Sequence, residues 1–176
     1  MDILEIIALM IACLVMEAFF SGAEIGVVSA DRIKLRHDAA KGNKGARMAL
    51  KMLENPEFLL STTLVGTNIA VITNTTLATL LAVTLFGKEN GWVAIVIAAP
   101  LIWVFGEIVP KSIFQQKANT ITPRIIYILK GASYLFYPIL IIFTGVTRLL
   151  TNLTGTKGAR PRSLGASSSR TVPMRP

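Results

Sequence analysis

The chain has 176 residues, of which 52% are apolar and only 16% are charged, with a mean hydropathy of +0.59. Soluble domains carry about 25% charged residues, so this composition excludes a disordered chain, argues against a water-soluble enzyme and indicates a membrane-embedded protein. The single cysteine, Cys13, and the single histidine, His37, exclude a disulfide framework and a zinc site built only from Cys and His of this chain.

The net charge of +8 is spread unevenly along the chain. Five of the 18 Lys and Arg residues follow residue 155, whereas all ten acidic residues precede residue 108. A nucleic-acid site requires a basic surface with interleaved aromatic residues, and neither the tail nor the segment 31–55 has that pattern. We therefore expect no nucleic-acid partner.

The first predicted span covers about residues 3–30, which are mostly apolar. A helix needs about 20 residues to cross the hydrocarbon layer, and the start Met1-Asp2 lacks the basic region of a signal peptide. We therefore predict a retained membrane helix. The segment 31–56 that follows holds seven basic residues, and the positive-inside rule places it in the cytoplasm.

Two further spans are predicted after the basic segment. Residues 58–86 contain no charged side chain, and the polar turn 87–91 separates them from a third apolar stretch at about 92–110. Lys111 and Lys117 then return the chain to the basic side. Three crossings place the N-terminus outside and the C-terminus in the cytoplasm, so we expect a multi-pass protein of the plasma (inner) membrane.

The segment 121–150 is apolar but is interrupted by Lys130 and Pro138. We predict juxtamembrane helices at the cytoplasmic interface, and the alternative is a fourth span that would carry Arg148 and the tail outside. Residues 151–176 are predicted to be a flexible tail or a sequence left over from cloning. The expected fold is thus an all-α membrane domain over residues 1–150, with three transmembrane helices.

Three short spans enclose little space, so we expect a symmetric homodimer in contact with membrane lipid. Ionisable residues inside a bilayer are costly and indicate function. Glu17, Ser21 and Glu24 share one face of the first helix, at spacings of four and seven residues. The alternative for Glu17 and Glu24 is that each lies near a membrane surface and is simply hydrated.

The second and third spans each contain an interruption. Gly66-Thr67-Asn68 divides an apolar run, and a buried asparagine needs polar partners. In the third span, Pro110 has no N–H group, so the carbonyl of Gly106 loses its usual helical donor beside Glu107. Such freed groups are tolerated where they line a cavity or bind an ion. The alternative is that Pro110 ends the helix and Glu107 pairs with a lysine.

These candidate ligands are all oxygen atoms, from carboxylate, hydroxyl, amide and carbonyl groups. Oxygen ligands suit Mg²⁺, Ca²⁺ or Na⁺ rather than zinc or copper. The sequence contains no nucleophile–base arrangement and no phosphate-binding glycine loop. We therefore expect an ion-binding membrane protein and not an enzyme.

Three motifs resemble those of the CorC/cyclin M (CNNM) membrane domain in order and separation. They are Phe20-Ser21-Gly22, Leu64-Val65-Gly66-Thr67-Asn68 and Phe105-Gly106-Glu107-Ile108-Val109-Pro110. The resemblance implies a homodimer of three-helix subunits with a cytoplasmic belt of juxtamembrane helices. It also implies a Mg²⁺ transporter that exports Mg²⁺ from the cytoplasm, with Na⁺ coupling.

The resemblance also implies a set of ion ligands. The metal ligands would be Ser21, Gly66, Asn68 and Glu107. Cavity-lining candidates are Gly22, Glu24, Thr67, Gly106 and Pro110. Two positions depart from the family pattern, because Thr67 stands where asparagine is frequent and Val71 stands where the family has a polar residue.

Members of this family continue into cytoplasmic CBS modules that bind ATP, and these modules are missing from the 176 residues. ATP regulation is therefore expected only of a longer protein. The alternative function is a non-transporting membrane module that senses Mg²⁺ or anchors a partner, for which the basic segment 31–56 and the interfacial segment 121–150 offer docking surfaces.

Overall fold

The computed structural model describes residues 2–92, 94–139 and 141. The chain divides into two units, Met1–Leu140 and Ile141–Pro176, and the helices described below belong to the first unit. The predicted tail at 151–176 lies outside the described residues.

The described residues are helical and contain no strand. The helices are α1 (Ile3–Ser29), α2 (Arg32–Ala40), α3 (Lys44–Met52), α4 (Pro56–Phe86), α5 (Ala99–Trp103), α6 (Val109–Gln116) and α7 (Ala118–Leu135). Three stretches are long and apolar enough to cross a membrane, namely Ile3–Ser29, Pro56–Phe86 and Val96–Gln116. The predicted all-α fold with three membrane-spanning helices is therefore confirmed.

Two π-helical turns lie at the start of the third span and inside it, Ala94–Ala98 and Val104–Ile108, and a proline follows each of them by two residues. Proline lacks an N–H group, and its ring crowds the carbonyl four residues earlier. The wider π turn relieves this crowding, and the Val109 N–H donates to the Val104 carbonyl five residues back. We expected this span to end at about 110, but it continues to Gln116 because the π turn accommodates Pro110.

Helices α1 and α4 form an antiparallel pair at the centre of the domain. Near the α2 and α3 side, Leu59 of α4 lies in one core cluster with Val27 of α1. Near the other side, Ala78 and Ala82 of α4 pack with Leu14 of α1. Residue numbers therefore rise along one helix as they fall along the other, and this register decides which side chains meet.

A platform of short helices packs against the C-terminal end of α1. Asp31 caps α2 by accepting from the Ile33 N–H at 2.8 Å, and Asn43 caps α3 by accepting from the Ala46 N–H at 3.1 Å. Two bonds fix α7 against this end. The Thr122 hydroxyl donates to the Gly26 carbonyl at 3.0 Å, and the Asp31 N–H donates to Asn119 Oδ1 at 2.8 Å.

The juxtamembrane segment was expected at 121–150. Helix α7 begins earlier, at Ala118, ends at Leu135, and is not among the three stretches that qualify as spans within the described part of the chain. Residues 140 and 142–150, where a fourth span would have to continue, lie outside the described residues.

Candidate cation site

Ser21 and Gly66, two of the predicted ligands, are both buried in the described structure. Gly66 of α4 lies under the ring of Phe20, and a Cβ atom there would approach that ring to 2.6 Å. Only glycine permits this approach, which brings the two motif segments together. The Ser21 hydroxyl is fully buried and has no hydrogen-bond partner, so it is free to accept a ligand.

Glu107 lies on the second π turn and is about one-third exposed, and the Lys111 ammonium donates to its Oε1 at 2.5 Å. This ion pair follows from their spacing of four residues on one helix face. The alternative interpretation of Glu107 therefore holds in part: the carboxylate has a lysine partner, but Pro110 does not end the helix. A cation at Glu107 must compete with this ammonium group.

Asn68 differs from its neighbours because its side chain is exposed. Two residues turn a helix by about 200°, so Asn68 projects away from the face on which Gly66 meets Phe20. Thr67, between them, has a buried hydroxyl oxygen with no hydrogen-bond partner. Within one chain, Thr67 rather than Asn68 therefore has a buried side-chain oxygen.

The remaining cavity-lining candidates have separate environments. Gly22 packs against the Phe114 ring, where a Cβ atom would approach to 2.7 Å. Glu24 is half-buried, and Pro110 is buried. Gly106 is buried against the carboxyl group of Glu17, which occupies the space that a Cβ atom at position 106 would need.

The structure also buries two polar residues outside the predicted set, Glu17 of α1 and Asn74 of α4, which are neighbours. Among the described residues, four buried side-chain oxygen atoms have no hydrogen-bond partner: Glu17 Oε2, Ser21 Oγ, Thr67 Oγ1 and Asn74 Oδ1. Glu17 and Asn74 are each 1% exposed. Hydration near a membrane surface, the alternative for Glu17, is therefore wrong, since this carboxyl is shielded near the middle of α1.

A weak sequence signal for these four buried oxygens exists. Glu17 and Ser21 are four residues apart, and Thr67 and Asn74 are seven apart, so each pair shares a helix face. Asn74 was not singled out because the second span also contains many threonines, most of which bond their own helix. Thr62, for example, donates to the Phe58 carbonyl at 2.8 Å.

Carboxylates and imidazoles alone cannot form a metal centre here. Among residues 2–92, 94–139 and 141, no group of three or more His, Cys, Asp or Glu is placed to hold a metal ion. A bound ion would therefore need hydroxyl, amide or backbone oxygens in addition to carboxylate, which is the donor set that α1 and α4 bury.

Comparison with known proteins identifies the domain. The sequence profile of the cyclin M transmembrane N-terminal domain matches residues 8–166. The chain belongs to the cyclin M family. This match covers all three motif segments, the second and third spans, and the first span from residue 8 onward.

Several relatives support this assignment. The cyclin M domain is 34% identical over 149 residues to a UPF0053 protein of Haemophilus influenzae, covering 85% of the chain and 36% of the relative. It is 30% identical over 140 residues to the UPF0053 inner membrane protein YfjD of Escherichia coli, covering 80% of the chain and 33% of YfjD. Protein MAM3 of Saccharomyces cerevisiae is 30% identical over 124 residues, and the match covers 68% of the chain and 17% of MAM3. The chain thus spans about a third of the length of the Haemophilus and Escherichia relatives.

Proposed function

We propose that this cyclin M domain transports Mg²⁺, exporting it from the cytoplasm in exchange for Na⁺. The observation that supports this most directly is the set of unpartnered oxygen atoms buried between α1 and α4, midway along two membrane-spanning helices. Unsatisfied polar atoms are expensive inside a membrane, and they are best explained by a cation that passes through. Oxygen ligands of this kind are the ones that Mg²⁺ and Na⁺ accept.

The proposed Mg²⁺ ligands are Ser21, Gly66, Asn68 and Glu107. Mg²⁺ requires six oxygen atoms, so at a dehydrated site between the three spans the ion would exchange its water for a hydroxyl, a backbone carbonyl, an amide and a carboxylate. Glu107 must release Lys111 to take part. The π turn that carries Glu107 is a local departure from α-helical geometry, and such turns frequently occur at functional sites.

We further propose an inner-membrane location, an outside N-terminus, a cytoplasmic C-terminus and a homodimeric assembly. The location is supported by the similarity to YfjD, an inner membrane protein, and the orientation by the basic residues of segment 31–56. Asn68 supports the dimer, since it is a polar side chain exposed among apolar neighbours such as Leu64 and Ile69. A second copy, or the transported ion, would cover it.

The substitution Glu107→Gln tests the transport proposal. Because the amide cannot neutralise a divalent ion, we expect Mg²⁺ flux into or out of reconstituted vesicles to fall by about tenfold or more. The matched control is Glu57→Gln, an exposed glutamate in the first turn of α4, which should leave flux unchanged. Equal flux in wild type and Glu107→Gln would remove Glu107 from the proposed ligand set.

Lys111→Gln should have the opposite effect on affinity. The ammonium group holds Glu107 in an ion pair, so removing it frees the carboxylate and eliminates a competing positive charge. We expect the Mg²⁺ concentration for half-maximal binding to fall by about two- to fivefold, a modest change because this pair is one-third exposed. Isothermal titration of the purified protein with Mg²⁺ measures this concentration. An unchanged or weaker affinity in Lys111→Gln contradicts the proposed competition between Lys111 and Mg²⁺ for Glu107.

A non-transporting module that senses Mg²⁺ or anchors a partner is the second candidate function. The platform of α2, α3 and α7 favours it, because exposed basic residues such as Arg36, Lys41 and Arg47 offer a docking surface for an acidic partner. Binding of Mg²⁺ by the purified chain without flux in sealed vesicles would select this function over transport.

A further inference from the structure

A cleft of about 310 Å³ lies where helices α3 and α7 meet the first turn of α4. Helices α3 and α7 touch at Gly45 and Pro123, and the cleft opens further along both helices, between Met52 of α3 and Ser133 of α7. Phe58 of α4 forms its third side. Three helices therefore contribute to one concave site, which shares no residue with the proposed Mg²⁺ ligands.

The lining of this cleft combines apolar surface with positive charge. Met48 and Met52 are partly buried and pack on the core of the domain, and Phe58 is 37% exposed. The same cleft is lined by the ammonium groups of Lys51 and Lys130. A ligand that matches this lining has an apolar part and a negatively charged part.

The charges in the cleft are not neutralised by the protein. Within the described part of the chain, neither Lys51 nor Lys130 forms an ion pair. The Lys130 ammonium lies 6.0 Å from the centroid of the Tyr134 ring, which is a cation–π distance. Glu54 also lines the cleft, so these two lysines and one glutamate leave a net charge of +1. A phosphodiester carries one negative charge and brings that sum to zero.

The position of the cleft along α4 favours a lipid as its ligand. Helix α4 has 31 residues and is about 46 Å long, whereas the hydrocarbon layer is about 30 Å thick. Its ends therefore reach the head-group region, and Phe58 is its third residue. Tyr134 and Tyr137, which also line the cleft, are exposed, and tyrosine is enriched at membrane–water interfaces. The cleft thus opens where phospholipid head groups lie.

We propose that this cleft binds one anionic phospholipid. Lys51 and Lys130 are the partners of its phosphate, and its apolar part lies against Met52 and Phe58. Basic pockets between helices at a membrane surface bind lipid head groups through the same charge complementarity. Because the three helices share the cleft, a bound lipid connects α3 and α7 to α4 and should stabilise the folded domain.

The test measures the melting temperature of the purified chain in dodecyl maltoside micelles as lipid is added. Dioleoylphosphatidylglycerol is the anionic probe, and dioleoylphosphatidylcholine is the control because it has the same acyl chains and no net charge. A ligand that binds only the folded state raises the melting temperature in a saturable way. We expect phosphatidylglycerol to reach half-saturation at a mole fraction about tenfold or more below that of phosphatidylcholine. Glycerol phosphate, which lacks acyl chains, should have no effect at the same concentration.

Single charge substitutions connect this response to the cleft. Lys51→Gln and Lys130→Gln should each raise the half-saturating mole fraction of phosphatidylglycerol by about fivefold. Lys44→Gln is the matched control, because Lys44 is an exposed lysine on the same helix as Lys51 and does not line the cleft. Glu54→Gln removes the negative charge from the lining and should lower the half-saturating mole fraction by about two- to fivefold.

Four outcomes overturn the inference. The first is the absence of any saturable response to phosphatidylglycerol, and the second is an equal response to the two lipids. The third is an equal loss of affinity in Lys44→Gln and Lys51→Gln, which would mean that only the total positive charge of the chain matters. The fourth is a saturable response to glycerol phosphate alone, which would assign the cleft to a soluble phosphate compound. All four are measured without Mg²⁺, so they leave the transport proposal unaffected.

Discussion

Adding a single methyl group at position 45 is expected to separate helix α3 from helix α7. A Cβ atom built on Gly45 overlaps the backbone carbonyl oxygen of Pro123. Neither atom can rotate away, because both belong to or are attached directly to a helix backbone, so the helices themselves must move. Overpacking of this kind costs about 1–3 kcal/mol and occasionally more. For a chain of this size the melting temperature of Gly45→Ala should fall by about 2–12 °C.

The matched control for this prediction is Gly131→Ala, which lies on α7. No atom lies within 4 Å of a Cβ built there, and the residue is exposed. Alanine stabilises a helix interior by roughly 1 kcal/mol relative to glycine, so Gly131→Ala should melt at the same or a higher temperature. Thermal unfolding in detergent, followed by circular dichroism, compares the two variants. Equal decreases in both would contradict a specific contact between Gly45 and Pro123.

The positions of the first two spans could be predicted from the sequence because hydropathy over a helix length is a local property. The apolar stretches at 3–30 and 58–86 agree closely with Ile3–Ser29 and Pro56–Phe86. The third span was harder to predict, because proline usually ends or kinks a helix. Whether a π turn forms and lets the helix continue past the proline depends on the surrounding packing, and the local sequence pattern does not contain that information.

The candidate site could be predicted only in part for a similar reason. The motifs identified Ser21 and Gly66, and their burial at one interface agrees with a shared role. The Glu107–Lys111 pair follows from a spacing of four residues. Asn74, however, meets Glu17 only because α1 and α4 pair in one antiparallel register, and a register between distant segments cannot be derived from either segment alone.

A common physical role connects the three motifs. Each supplies a glycine at a close approach: Gly22 to the Phe114 ring, Gly66 to the Phe20 ring and Gly106 to the Glu17 carboxyl. Small residues are what allow membrane helices to pack tightly. The motif glycines therefore allow the three spans to approach one another closely, and under the proposed function the polar motif residues would supply the ligands.

Gly106→Ala should weaken Mg²⁺ binding without unfolding the domain. Its new methyl group would occupy the position of the Glu17 carboxyl, which is the end of a flexible side chain and can move aside. The displaced carboxyl disturbs the packing of α1 against the π turn that carries Glu107, and we expect the half-saturating Mg²⁺ concentration to rise about 10- to 100-fold. The melting temperature without Mg²⁺ should change little. Isothermal titration with Mg²⁺ and thermal unfolding in detergent measure the two quantities.

Two further variants separate displacement of the carboxyl from general disturbance of the helix packing. Combining Gly106→Ala with Glu17→Asp shortens the acidic side chain and makes room for the methyl group, so part of the lost affinity should return. Gly22→Ala adds the same methyl group at another close contact, against the Phe114 ring. Gly22→Ala should therefore lower the melting temperature and leave the ion affinity unchanged. Unchanged ion affinity in Gly106→Ala would show that the contact between the third span and Glu17 has no part in binding, because that contact is what holds the carboxyl toward α4.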